Sequence, residues 1–191
     1  MNYFEAILLA VIQGLTEFLP VSSSAHLILF SEISGGNQNL FYDVSLHLGT
    51  LIAVMFYFKS DIKEIFRSIT KDRSLIRNQL SRNLIISSIP TLILGYILVD
   101  FIDVYLRTSL IIAFTTIFFA MVLYLATFKP QTKKDLSDIS TIDALVIGLF
   151  QSLSLIPGTS RSGITISAAL FLGFDNQTAS RFSFLLAIPT I

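Results

Sequence analysis

The sequence predicts an all-α, polytopic membrane protein built from an inverted repeat, and three observations support this fold class. Of the 191 residues, 53% are hydrophobic and 14% are charged, and the mean hydropathy is +0.73. Soluble domains carry about 25% charged residues. Apolar segments close to 20 residues long recur, which is about the length that a helix needs to cross a bilayer. Two further segments, each broken by proline and serine, share one residue order.

Three continuous apolar segments have the length of transmembrane helices, and the charges between them predict their orientation. The segments are Leu40–Phe58, Leu84–Phe101 and Ser109–Phe128. The connection over residues 59–82 carries seven Lys or Arg and three acidic residues. Because cytoplasmic loops are enriched in Lys and Arg, this connection is predicted to be cytoplasmic.

The remaining connections agree with that orientation. Two crossings later, Lys129, Lys133 and Lys134 again mark a basic connection on the cytoplasmic side. The polar segments 34–39 (SGGNQN) and 101–107 (FIDVYLR) are therefore predicted to be external.

Around the polar stretch IQGLTEFLPVSSSAH, residues 12–26, the chain is almost wholly apolar from Tyr3 to Ile12 and from Leu27 to Phe30. Pro20 removes a backbone donor, and the serines that follow can cap a new helix. We therefore expect two half-helices that enter from the outer face and return to it, which is a re-entrant hairpin.

A second stretch, FQSLSLIPGTSRSG at residues 150–163, repeats this residue order. Three predicted spans separate the two stretches, and an odd number gives the copies opposite orientations, as in inverted-topology repeats. Polar backbone inside a membrane is tolerated where it lines a cavity or is buried in protein. We predict that the two hairpins meet near the midplane within a single membrane domain, 1–191. Residues 1–128 form the first repeat, and 140–191 form a second repeat whose C-terminal spans are missing.

The first polar stretch offers a carboxylate, hydroxyls and an imidazole. Gln13 and Glu17 are four residues apart and share one helical face. An ionisable group inside a span is costly and marks a functional site by default. His26 follows Ser23 by three residues and is a candidate general acid, base or nucleophile. The serines can cap the next helix or contribute to chemistry: Ser22, Ser23 and Ser24.

The second stretch has the residues of an anion site. A glycine-flanked turn before a helix directs backbone amides towards an anion, and Gly158 lies in such a turn. Arg161 adds a planar, permanently charged fork that suits phosphate oxygens. Three hydroxyls can add donors: Ser160, Ser162 and Thr165.

Together these groups indicate phosphoryl transfer. The anion site would bind phosphate while a side chain attacks and Glu17 handles a proton or a divalent cation. Mg²⁺ or Ca²⁺ would suit Glu17 and diphosphate oxygens, and no organic cofactor is expected. A membrane-embedded site with this chemistry implies a lipid-linked phosphate. The absence of cysteine excludes disulfides and thiolate metal sites, and the zero net charge argues against a nucleic-acid partner.

These residues resemble the signatures of the bacterial undecaprenyl-diphosphate phosphatases, also called bacitracin-resistance proteins. The stretch from Gln13 to His26 is similar to the first signature, Pro157–Thr165 is similar to the second, and "HLGT" at His47–Thr50 also fits. The resemblance implies hydrolysis of undecaprenyl diphosphate to the monophosphate used in cell-wall synthesis. It also implies a multi-pass protein of the plasma membrane, with a site that opens to the outer face.

The resemblance further implies roles for single residues. Glu17 takes the carboxylate role, and Arg161 clamps phosphate with help from Ser160 and Thr165. Ser23 and His26 both remain candidates for the nucleophile. Gln13 occupies a position that can be Glu or Gln, and a glutamine cannot serve as a base or as a charged metal ligand.

Another function is compatible with the same pattern. Inverted repeats with broken helices are also a transporter design, so a transporter or flippase of an anionic lipid or small anion is the alternative. The serine and histidine beside Glu17 favour an enzyme. The sequence is also compatible with a homodimer.

Overall fold

The computed structural model describes residues 3–34, 40–72 and 79–191, and these ranges are mainly helical. The predicted external turn at 34–39 lies, except for Ser34, outside the described residues. The helices are α1 (Tyr3–Thr16), α2 (Ser23–Ser34), α3 (Leu40–Tyr57), α4 (Lys59–Asp72), α5 (Gln79–Phe101), α6 (Ser109–Thr127), α7 (Thr141–Ser152), α8 (Arg161–Phe171) and α9 (Asn176–Thr190).

Two helices in the described residues are long and apolar enough to cross a membrane. They are Gln79–Leu106, which joins α5 to a π-helical turn (Ile102–Leu106), and Ser109–Thr127. Only 17% of the residues in an 18-residue apolar stretch of each helix are buried, whereas the core helix of a soluble protein is mostly buried. Large apolar side chains instead lie on the surface. The structure therefore fits a membrane protein, and it confirms helices over the second and third predicted spans.

Shorter apolar helices cover the other hydrophobic segments, over Tyr3–Thr16, Tyr42–Tyr57 and Thr141–Leu155. The third of these joins α7 to a 3₁₀ turn at Leu153–Leu155.

The first basic connection contains a helix that the charge pattern did not predict. Helix α4 places Ile62, Ile65 and Phe66 at the spacing of one helical face, and Ile65 packs against the hydrophobic core. Asp61 accepts a hydrogen bond of 2.5 Å from Arg181 of α9. This basic, amphipathic composition is typical of a helix that lies along a membrane surface.

Helix α8 lies at the centre of the fold. It packs against α6, α7 and α9, and every residue from Ser162 to Leu170 is buried. Small side chains at Gly163, Ala168 and Ala169 allow neighbouring helices to approach closely, as in other membrane helix interfaces. The end of α8 turns at Gly173, whose φ of +86° suits glycine.

The pair α5 and α7 forms the most extensive helix contact of the fold. A Cβ on Gly148 would lie 2.7 Å from Cα of Ser87, so only glycine fits at this crossing. Polar side chains of α5 add hydrogen bonds to the backbone of α7 and of the turn before it. Asn83 Nδ2 donates to Ile139 O at 2.6 Å, and Ser87 Oγ donates to Ala144 O at 2.7 Å.

Both predicted helix breaks are present. Residues 17–22 separate α1 from α2, and residues 153–160 separate α7 from α8. In the second break Gly158 has φ of +91° and packs against α6. Thr115 Oγ1 donates to Pro157 O at 2.6 Å, and Thr116 Oγ1 donates to Gly158 O at 3.1 Å. Helix α6 therefore holds the turn that leads into α8.

Candidate active site

The two helix breaks contact each other although more than a hundred residues separate them in the chain. Ser162 Oγ, in the first turn of α8, donates to Leu19 O of the first break at 2.8 Å. The neighbouring Gly163 is also close to the first break, since a Cβ there would lie at the ordinary contact distance of 3.5 Å from Pro20 O. The contact joins the end of α1 to the start of α8.

Glu17 lies at this junction with its side chain only 4% exposed. Its Oε1 pairs with Arg161 Nη2. Its Oε2 accepts hydrogen bonds from Gln13 Nε2 at 2.8 Å and from Ser23 Oγ at 2.6 Å. A buried carboxylate is tolerated when charged and hydrogen-bonded partners compensate for lost hydration, and Glu17 has both.

Arg161 is the first residue of α8, and its side chain is 20% exposed. The residue before it, Ser160, caps the helix by accepting a hydrogen bond from Gly163 N at 3.1 Å. This cap fixes the start of α8 and therefore the base of the arginine side chain. A guanidinium carries five N–H donors, so pairing with Glu17 leaves donors that can bind another anion.

A cavity of about 260 Å³ lies beside this pair. At about 30 Å³ for each water molecule in the liquid, it has room for on the order of nine waters or for a diphosphate group. Both halves of the chain contribute polar walls. Six of the predicted site residues line the cavity: Glu17, Ser22, Ser23, Ser24, Ser160 and Arg161.

The other predicted residues lie outside this lining. Gln13 lies behind Glu17, Gly158 forms the turn against α6, and Ser162 bonds to the first break. Thr165 Oγ1 donates to Arg161 O at 2.8 Å and lies 2.6 Å from Ser183 Oγ. These contacts support the fold around the site, and direct substrate contacts by the same residues stay predictions.

His26 also lies away from the cavity walls. Its side chain is exposed, and its Nδ1 lies 2.7 Å from Ser22 O. Its role as a catalytic group or nucleophile stays a prediction.

His47 of α3 is the imidazole nearest to the carboxylate. Its Nε2 lies 3.7 Å from Glu17 Oε2, and its Nδ1 lies 2.7 Å from Asp43 O. It lines the cavity with its side chain 34% exposed. In the sequence, His47 stands out only as part of "HLGT", although a histidine inside an apolar span is itself a signal of function.

The donor set limits how a divalent cation could be held. Across residues 3–34, 40–72 and 79–191, no three His, Cys, Asp or Glu side chains form a cluster that could bind a metal ion. Glu17 is the carboxylate of the cavity wall, and three donors already surround it. One carboxylate completed by substrate phosphate oxygens is nevertheless an arrangement in which proteins bind Mg²⁺.

The chain is similar to proteins of known family. Residues 6–191 match the family model described as bacitracin resistance protein BacA. Undecaprenyl-diphosphatase 1 of Pseudoalteromonas translucida (strain TAC 125) is 49% identical over 196 residues, which cover 100% of this chain and 74% of the relative. The undecaprenyl-diphosphatases of Hahella chejuensis (49% identical) and Aliivibrio salmonicida (47% identical) each match over 100% of this chain and 73% of their own length. The chain therefore belongs to the bacitracin resistance protein BacA family.

Proposed function

We propose that the protein is an undecaprenyl-diphosphatase, which hydrolyses undecaprenyl diphosphate to undecaprenyl phosphate and phosphate. The family and the names of its relatives support this activity. The observation that carries the proposal within the molecule is the position of Glu17. One carboxylate oxygen accepts a hydrogen bond from the Ser23 hydroxyl, and the other pairs with Arg161, beside a cavity large enough for a diphosphate group.

Ser23 is the nucleophile in this proposal. Its hydroxyl is already hydrogen-bonded to a carboxylate that can act as a base, which is the usual arrangement of an activated serine. Ser23 Oγ attacks the terminal phosphorus, the Oγ–P bond forms, and the bridging P–O bond breaks. Undecaprenyl phosphate leaves with the bonding electrons, and Glu17 receives the serine proton. Water then attacks the phosphorus of the phosphoserine and the Oγ–P bond breaks with its electrons on Oγ. Ser23 Oγ takes back the proton from Glu17, the attacking water loses one proton to the solvent, and phosphate is released.

Arg161 binds and stabilises the phosphate oxygens during both steps. Its fork suits the charge that is spread over the oxygens in the transition state. Phosphate binds the Arg161 donors that the pair with Glu17 leaves unused, so the ion pair with Glu17 stays in place while the phosphate is held.

A divalent cation would be held by Glu17 together with diphosphate oxygens, and it would neutralise phosphate charge when bound. The chain's own residues carry the nucleophile, the base and the anion clamp.

The membrane arrangement is also part of the proposal. The two broken helix pairs are re-entrant hairpins of opposite orientation, and the site opens to the outer face of the plasma membrane. Both basic connections then lie in the cytoplasm, as expected for loops rich in Lys and Arg. An enzyme placed in this way recycles the lipid carrier of cell-wall synthesis. The family name further implies that this activity confers resistance to bacitracin.

Phosphate release from undecaprenyl diphosphate by the purified protein in detergent tests the activity. Ser23→Ala and Glu17→Gln are expected to lose most turnover. Ser137→Ala is the matched control, because Ser137 is exposed and is absent from the cavity lining. A wild-type protein that releases no phosphate would overturn the proposal.

Rapid acid or alkali quenching of a labelled reaction separates the two nucleophile candidates. Phosphoserine survives acid, whereas phosphohistidine survives alkali. We expect an acid-stable phosphoenzyme that Ser23→Ala abolishes. An acid-labile species that only His26→Ala removes would assign the nucleophile to His26.

A further inference from the structure

His47 stands beside Glu17 with one ring nitrogen bound to the backbone and the other directed at the carboxylate. Nδ1 lies 2.7 Å from Asp43 O, and a carbonyl oxygen can only accept a hydrogen bond, so Nδ1 carries the ring proton. In the neutral imidazole, Nε2 is then an acceptor. It lies 3.7 Å from Glu17 Oε2, and both side chains line the cavity. The wall of the cavity therefore offers an acceptor nitrogen next to the carboxylate.

The separation of these two atoms suits one shared water molecule. At 3.7 Å they are beyond the range of a direct hydrogen bond, about 2.7–3.2 Å. A water that bonds to each partner at about 2.8 Å can join atoms up to about 5.6 Å apart. Such a water would lie close to Ser23, because Ser23 Oγ bonds to the same oxygen of Glu17 at 2.6 Å.

The second step of the proposed reaction needs an acceptor for a water proton, and Glu17 is already occupied. In the phosphoenzyme, Glu17 holds the proton that came from Ser23 and returns it to Oγ when the Oγ–P bond breaks. The other carboxylate oxygen pairs with Arg161. Neither oxygen is left to take a proton from the attacking water, so a second base would accelerate this step.

We propose that His47 is the general base of the second step, in which water cleaves the phosphoserine. This inference rests on the proposed function. His47 Nε2 accepts a hydrogen bond from the water and takes its proton while the bond between the water oxygen and phosphorus forms. The Oγ–P bond breaks with its electrons on Oγ, which receives the proton from Glu17. The His47 side chain is 34% exposed, so the ring can pass its proton to the solvent.

His47→Gln is expected to slow the second step and to leave the first step unchanged. The glutamine amide can still bond to a water, but it cannot take a proton. We would mix the purified protein in detergent with excess undecaprenyl diphosphate and quench the reaction in acid after milliseconds to seconds. Undecaprenyl phosphate should appear in a burst of about one molecule for each protein molecule. Steady turnover should then be about 10²-fold slower than in the wild type.

Two measurements on the same variant assign the loss to one step. The burst should be as fast as the first turnover of the wild type, within about threefold, because the first step does not use His47. With the terminal phosphate labelled, acid-stable label should accumulate on the protein, and the additional change Ser23→Ala should abolish it.

Thr50→Val is the matched control on the same helix. Thr50 Oγ1 donates to His47 O at 2.9 Å, and Thr50 is absent from the cavity lining. This change removes a hydrogen bond within α3 but retains the imidazole, so we expect a lower thermal midpoint and no burst. His47→Asn is the second variant if His47→Gln cannot be purified. Its shorter amide can donate to Asp43 O but leaves no group at the position of Nε2.

The outcomes distinguish the two proposals. A wild-type protein that releases no phosphate contradicts the proposed function. A wild-type protein that turns over, while His47→Gln and His47→Asn keep its steady rate, contradicts the role of His47 alone. A slower burst without accumulation of phosphoenzyme contradicts it as well, because the imidazole would then act outside the second step.

Discussion

At the residue scale, Glu17 and Arg161 tie the chemistry of the site to the stability of the fold. The two side chains are 4% and 20% exposed, so each is kept largely from water by the protein. Removing one partner of a buried ion pair costs about 3–5 kcal/mol, because the other charge stays buried without compensation. Substitutions that retain the charge are therefore more informative than truncations.

Arg161→Lys separates the charge of this residue from its fork. Lysine keeps the positive charge beside Glu17 but cannot bind two phosphate oxygens in the planar geometry of arginine. We expect a thermal midpoint close to that of the wild type and a loss in kcat/KM on the order of 10²-fold, comparable with the removal of one transition-state donor. Phosphate release and thermal unfolding in detergent measure the two effects.

Arg181→Lys is the control for this substitution. Arg181 also forms an ion pair, with Asp61 at 2.5 Å, but its side chain is absent from the cavity lining. Equal turnover of the two lysine variants would show that the fork of Arg161 is not used.

His47→Gln tests whether the imidazole beside Glu17 takes part in the reaction. Glutamine retains a polar group of similar length, but its amide cannot act as a general acid or base as an imidazole can. General acid–base groups typically contribute about 10²–10⁴-fold, and we expect a loss in kcat at the lower end of this range. The pH profile of kcat should also change. Wild-type kcat in His47→Gln together with a large loss in His26→Gln would return this role to His26.

The comparison of these residues shows which site contacts the sequence can predict. The hydrogen bond between Gln13 and Glu17 is predictable from their spacing along one helix. The place of Arg161 in the site is predictable from the glycine- and serine-rich turn that precedes α8. His47 approaches Glu17 through the packing of α3 against α1, and no local pattern encodes that contact. His26 lies close to Glu17 in sequence, but a new helix begins between them, and its ring bonds back to Ser22 O.

At the element scale, the crossing of α5 and α7 depends on a single glycine. Gly148→Ala would place a Cβ 2.7 Å from Cα of Ser87, and the backbone of both helices would have to shift. Overpacking of this kind costs about 1–3 kcal/mol, occasionally more. We expect a clear fall in the thermal midpoint, measured by unfolding in detergent.

Gly49→Ala is the matched control on α3. Apart from the adjacent residues and the helix's own backbone, no atom lies within 4 Å of a Cβ at this position, and alanine favours a helix over glycine by about 1 kcal/mol. Its midpoint should be equal to or higher than that of the wild type. If both alanine variants were equally stable, close packing at Gly148 would not be limiting.

The sequence predicts apolar helices better than amphipathic ones in this chain. Continuous apolar segments identified α5 and α6, because length and composition suffice for a span. Helix α4 was missed because its charges resemble those of a loop, while Ile62, Ile65 and Phe66 are spaced as one helical face. The proline and serine pattern identified both helix breaks, but how α6 supports Gly158 depends on tertiary packing.

At the scale of the whole molecule, the site exists only when both halves of the chain are folded together. Glu17 and Ser23 come from the first half, and Arg161 comes from the second. The hydrogen bond from Ser162 Oγ to Leu19 O joins the two breaks directly. The proposed opposite orientation of the two halves predicts a membrane topology that can be measured without any substrate.

The two connections that flank α6 are expected on opposite sides of the membrane. The chain has no cysteine, so a single introduced cysteine reacts with a membrane-impermeant maleimide without background. Tyr105 is 62% exposed before α6, and Lys133 is exposed after it. Tyr105→Cys should be labelled in intact cells, and Lys133→Cys should be labelled only after the membrane is permeabilised. The reversed pattern would place the basic connections outside and would contradict an outward-opening site, whereas labelling of both in intact cells would mean that α6 does not cross the bilayer.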